Sequence, residues 1–144
     1  MLNRIGLAAV ILAVCTAPAL ADNKCGSMPI PPALPSGGDI AKMAPAAAET
    51  AKHQAFLDVK TWQTNLNDFR DCLNSLIDTD KQRMGQLDPT KDSSKITDLQ
   101  MEIDGATGAH DSSVDAEEKV VNDFHAVQAA YCMRSDVDQS TCPK

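Results

Sequence analysis

Seven residues between positions 55 and 76 recur at alternating steps of four and three: Ala55, Val59, Trp62, Leu66, Phe69, Leu73 and Leu76. That spacing puts all seven on one stripe of an α-helix and scatters them over both faces of a strand. A heptad seam of this kind needs a second helix against it. Phe56, Cys72 and Ile77 widen one side of the stripe. The downstream chain supplies the partner. Ile96, Leu99, Ile103, Ala106, His110, Ser113, Glu117, Val120, Phe124, Val127 and Tyr131 keep the same steps, with Val114 and Val121 alongside.

The boundaries follow from turn chemistry. Leu87-Asp88-Pro89 ends the first helix, because proline disfavours helical backbone in the residue before it. Asp88, Asp92 and Ser93 are each suited to cap the next helix. Pro45 fits only near a helix start, so the first helix begins between Ile40 and Ala46, with Asp39 able to cap its first turn. Gly105 and Gly108 weaken the second helix by roughly 1 kcal/mol each. The apolar phase is the same on both sides of them, so one helix is expected rather than two. The fold class read from this pattern is all-α: a long antiparallel, coiled-coil-like hairpin over 40–134, with helices at about 45–87 and 92–134. Each helix would be about 60 Å long, and a polar tail over 135–144 follows.

The chain ahead of the hairpin has two parts. Arg4, the apolar stretch Ile5 to Val14 and the small-x-small Ala19-Leu20-Ala21 make residues 1–21 read as a cleavable signal peptide. Pro18 ends the apolar run too early for a membrane span, which needs roughly 20 residues. Val14 before Cys15 does not suit a lipoprotein site. The mature chain would begin at Asp22 and carry 12 Lys plus Arg against 20 Asp plus Glu. Residues 22–39 read as an arm. Pro29, Pro31, Pro32 and Pro35 favour extended polyproline backbone, about 3.1 Å per residue.

The mature chain keeps four cysteines, Cys25, Cys72, Cys132 and Cys142, and in an exported protein an even set reads as disulfides. With the turn centred near residue 89, Cys72 and Cys132 lie about 39 Å apart along the hairpin, too far to bond. The extended arm carries Cys25 to roughly the height of Cys72. Cys25–Cys72 with Cys132–Cys142 is therefore the expected pairing. Cys25–Cys142 with Cys72 left free is the alternative. One hairpin gives each helix a single partner, a thin core for this length. The arm, a second copy forming a four-helix bundle, or another protein must cover the remaining apolar sides.

Cys25 followed by spaced prolines, then Phe69-x-x-Cys72-Leu73, then His110-Asp111-x-x-Val114-Asp115 with Glu118, Phe124 and Ala130-Tyr131, resembles uncharacterised exported helical proteins of proteobacteria. Those proteins carry similar C-x-P-rich, Y-x-x-C-L and Y-N-x-x-V-D segments. This chain has His at 110 and 125 where they tend to have Tyr and Asn. The resemblance implies the hairpin and the Cys25–Cys72 bond, and it brings no activity with it.

Charge and motif content narrow the function. A pI near 4.7 excludes the basic face that nucleic acid or an anionic membrane surface requires. No nucleophile elbow, P-loop, dinucleotide glycine turn or C-x-x-C pair is present, so no enzyme is expected. Asp78-x-Asp80 and Asp136-x-Asp138-x-Ser140 begin like calcium loops but lack the glycine at position six and the glutamate at twelve. The methionines are scattered, without the clustering that Cu(I) favours. His53 and His125 come out level across the hairpin and are the candidate metal pair, with Glu49 or Asp123 to add an oxygen; no cofactor is otherwise implied. Phe56, Trp62, Phe69, Phe124 and Tyr131 are all of the aromatics. Left uncovered, they would make an apolar stripe for a partner helix. The expected function is a non-enzymatic exported structural or protein-binding module of the bacterial envelope, periplasmic or secreted, binding another protein or itself. The alternatives are a periplasmic chaperone-like holdase and a metal-binding four-helix dimer.

Overall fold

Proline at the first helical position starts the long segment: its fixed φ suits a helix, and its missing N–H is not needed there. The computed structural model describes residues 24–142. Residues 1–21, on which the expectation of a cleaved leader rests, lie outside them. Three α-helices follow one another: α1 (Gly37–Lys42), α2 (Pro45–Met84) and α3 (Ser93–Cys132), with a 3-10 turn at Gln139–Thr141. No strand occurs among the described residues. α2 and α3 pack along their length as an antiparallel hairpin, and Gly105 and Gly108 lie inside an unbroken α3.

Three boundaries correct the sequence reading. The helix expected to reach 87 stops at Met84, because Gln86 and Leu87 donate backwards by three residues, to Arg83 and Met84, and tighten the last turn. The second helix runs from Ser93 to Cys132 rather than over 92–134, with Asp92 at its cap position. The arm does not stay extended to residue 39. Ser36 Oγ accepts from the Asp39 N–H while the Asp39 carboxylate accepts from the Ser36 N–H, a capping box that starts the separate helix α1. Ser36, not Asp39, is the cap. Hydrogen bonding to Ser36 holds the Asp39 carboxyl below its ordinary range.

The turn is built on Asp88, whose Oδ1 accepts from the Thr90 N–H at 2.8 Å, an aspartate turn. Asp92 caps nothing with its side chain. Its carboxylate instead accepts from Lys95 and from the Asp88 N–H, and both bonds lower its pKa.

The core is the predicted seam with one change of phase. Ala55, Val59, Trp62, Leu66, Phe69 and Leu73 are buried, after which Ile77 and Asp80 take the inward positions and Leu76 is half-buried. A straight helix drifts against a strict heptad, and the interface moves over by one residue to follow it. On α3 the buried set is Leu99, Ile103, Ala106, Ser113, Val120, Phe124, Val127 and Tyr131.

At the open end α1 sits on α3. Ile40 is fully buried, and Gly37 lies so close that an added Cβ would stand 3.2 Å from Ala130 Cβ. Arg134 closes this corner. Its Nη1 donates to the carbonyls of Ile40 at 2.7 Å and Met43 at 3.0 Å, while Nε and Nη2 hold Asp136. The carbonyls at the C-terminal end of α1 thus find a cation.

Candidate functional site

The disulfides are Cys25–Cys72 and Cys132–Cys142. The first fixes where the arm lies. Gly26, directly after the bonded cysteine, has φ +72°, a left-handed conformation that costs glycine little and turns the chain along α2. Lys24 Nζ pairs with Glu102 Oε2 at 2.6 Å, so the start of the arm bridges both long helices. From there the arm runs antiparallel to α2. Trp62 Nε1 donates to the Pro29 carbonyl at 3.0 Å. Farther along, Ala33, Leu34 and Pro35 come over Ala51, Gln54, Ala55 and Asp58, with an open groove of about 360 Å³ between them.

Lengths confirm the conformation. Cys25 to Leu34 covers about 28 Å at 3.1 Å per residue. Cys72 back to Ala55 covers about 26 Å of helix. Between residues 26 and 35 the arm makes no backbone–backbone hydrogen bond to any of the described residues. Met28 and Leu34 rest on the core, while Ile30 is 89% exposed.

Halfway along the hairpin the seam turns polar. Arg70, reaching across from α2, donates to Ser113 Oγ at 2.7 Å, to the Ser113 carbonyl at 2.8 Å and to Glu117 Oε2 at 2.5 Å. Gln63 Nε2 adds a bond to Glu117 Oε1 at 2.8 Å. The hydrogen bond from Arg70 is the main reason the Glu117 carboxyl lies below its ordinary pKa; partial burial opposes it and Gln63 assists. Sequence reasoning missed Arg70. The signal was there in the three polar residues His110, Ser113 and Glu117 at core register of α3, which require a polar partner from α2.

Asp80 is a second buried polar group. Its side chain is 1% exposed; Oδ1 accepts from Arg83 Nη1 at 2.9 Å, and Oδ2 meets no donor. Glu102 lies alongside, its carboxyl held below its ordinary range chiefly by the hydrogen bond from Lys24.

The five aromatics do not form an exposed stripe. Trp62, Phe69, Phe124 and Tyr131 are buried, and only Phe56 is open, at 42% exposure, its ring 6.1 Å from that of Phe124. Lys52 Nζ sits 3.9 Å above the Tyr131 ring. His53 and His125 are both exposed. The level pairs Phe56–Phe124 and Gln63–Glu117 set the hairpin's centre near residue 90, one residue beyond the expected 89, so the two histidines are slightly offset. Among the described residues no three His, Cys, Asp or Glu side chains gather as a metal site. No described helix is long and apolar enough to cross a membrane.

No protein-family model matches the chain, and no similar curated protein or solved structure was found.

Proposed function

We propose that this chain is a non-enzymatic exported module of the bacterial envelope, serving as a rod for structural contact or protein binding. One observation carries the reading. Helix packing and the disulfide-bonded arm together bury Trp62, Phe69, Phe124 and Tyr131, leaving only scattered apolar side chains such as Phe56, Leu57, Met101 and Val114 open. What faces outward is a surface rich in Asp and Glu on helices about 60 Å long. Two disulfides in a chain of this size support an oxidising compartment, in keeping with the leader-like residues 1–21. The open groove beside the arm is lined by alanines, leucine, proline, Gln54 and Asp58, with no Ser, Thr, Cys, Lys or His among them. The burial of the aromatics favours this reading over a holdase, which keeps apolar surface open.

Expression of the full sequence in an exporting bacterium tests it. The expected product is a periplasmic chain beginning at Asp22, oxidised at all four remaining cysteines, that binds little of a dye for apolar surface. An uncleaved, reduced chain in the cytoplasm would remove the export reading. Strong dye binding by the oxidised protein would favour the holdase.

A further inference from the structure

We infer that the face of α2 beneath the arm is a binding groove for extended proline-rich segments, and that the Cys25–Cys72 bond keeps it closed. The inference rests on the protein-binding reading above and names the partner's chemistry. The occupant is visible: residues 26–35 lie in the groove as an extended proline-rich strand. They are held by side-chain contacts and one hydrogen bond, from the Trp62 indole to the Pro29 carbonyl. An indole donating to a carbonyl of a polyproline segment is how aromatic-lined grooves read such peptides, since the segment is preformed and its carbonyls are free.

Two features make the resident segment replaceable. It does not fill the surface beside it: an open groove of about 360 Å³ runs between Ala33, Leu34 and Pro35 on the arm and Ala51 to Asp58 on α2. It is also secured mostly at its ends: by the disulfide and the exposed Lys24–Glu102 pair at one, and by the Ser36 capping box of α1 at the other. With both ends fixed, the arm competes at high effective concentration and excludes a segment from another chain. Freed at Cys25, it competes through one end only. The opening step is thiol–disulfide exchange with an external dithiol. The Cys25–Cys72 bond breaks, both cysteines end as thiols, and the donor's two thiols become its own disulfide.

The test uses a fluorescently labelled peptide with the sequence of residues 27–36, followed by anisotropy. Its targets are the oxidised chain and the variant Cys25→Ser/Cys72→Ser, which keeps the Cys132–Cys142 bond. Binding is expected to be at least about tenfold tighter to the variant. Adding Trp62→Phe to the variant removes the indole donor and weakens binding about fivefold, the worth of one neutral hydrogen bond. Equal affinity for both targets, or none for a variant that keeps its helical circular dichroism, overturns the inference. If the variant loses its helical signal, the oxidised chain titrated with a dithiol decides: loss of helix there as well makes the arm part of the fold and overturns the groove. None of these failures touches export or the low dye binding of the oxidised chain, so the broader reading stands or falls separately.

Discussion

Replacing Arg70 by alanine isolates the polar junction in mid-hairpin. The substitution removes three hydrogen bonds at once, to Ser113 Oγ, the Ser113 carbonyl and Glu117. They do not count equally. Ser113 Oγ still donates to the His110 carbonyl at 2.6 Å, and the Ser113 carbonyl lies inside α3. The loss therefore falls on Glu117, which keeps only Gln63 and is 28% exposed. A charge-assisted bond is worth about 1.5–3 kcal/mol, and water reaching Glu117 returns part of that. The lost packing of the Arg70 stem adds to the cost. A destabilisation of about 2–3 kcal/mol results, a fall in Tm of roughly 10 °C.

The sign with pH follows from the depressed Glu117 pKa. Its contribution is complete above the unfolded value of about 4.3 and is lost as pH falls through the lower folded value. Urea unfolding of the disulfide-intact chain, read by helical circular dichroism and by Trp62 emission, should show the gap at pH 7 and a smaller one at pH 3. A gap below about 0.5 kcal/mol at pH 7, or one that does not change with pH, refutes the reasoning. Arg70→Leu with Glu117→Leu should lie near the parent, because a well-packed apolar pair replaces a half-buried ionic one at little cost.

The two glycines in and beside α3 should respond oppositely in thermal melts. Gly108→Ala meets nothing within 4 Å and should stabilise by about 1 kcal/mol, whereas the same change at Gly37 pushes against Ala130 and should destabilise. Arg134→Ala leaves the carbonyls at the end of α1 open, and hydrogen exchange should show faster exchange at 40–43 with α2 unchanged. Asp80→Asn keeps an acceptor for Arg83 and presents a donor beside Glu102. Denaturant titration should show equal or greater stability, by up to about 1 kcal/mol.

The hairpin was legible because its information is periodic and local. Leu66 and Val127 sit in the core for the reason their spacing declares. The disulfide pairing was legible as well, since helix rise and arm reach leave Cys25 few places to go. α1 was not foreseen, because Gly37 and Gly38 look like a linker when read by propensity. Only the reciprocal Ser36–Asp39 pair reveals the helix start. Arg70 was passed over because an arginine beside a seam residue ordinarily stays in water. Its role is set by what α3 places opposite, which is tertiary information. The aromatics show the same limit: their register was readable, and whether the arm covered them was not.

The order of the cysteines along the chain has a kinetic meaning. Each bond joins neighbours in sequence, Cys25 with Cys72 and Cys132 with Cys142. Once residues 1–21 and their Cys15 are cut away, as proposed, a chain delivered amino end first to an oxidant presents one correct pair before any wrong partner has emerged, and native pairing would arise by simple succession. Slow disulfide reshuffling then falls out of the folding path.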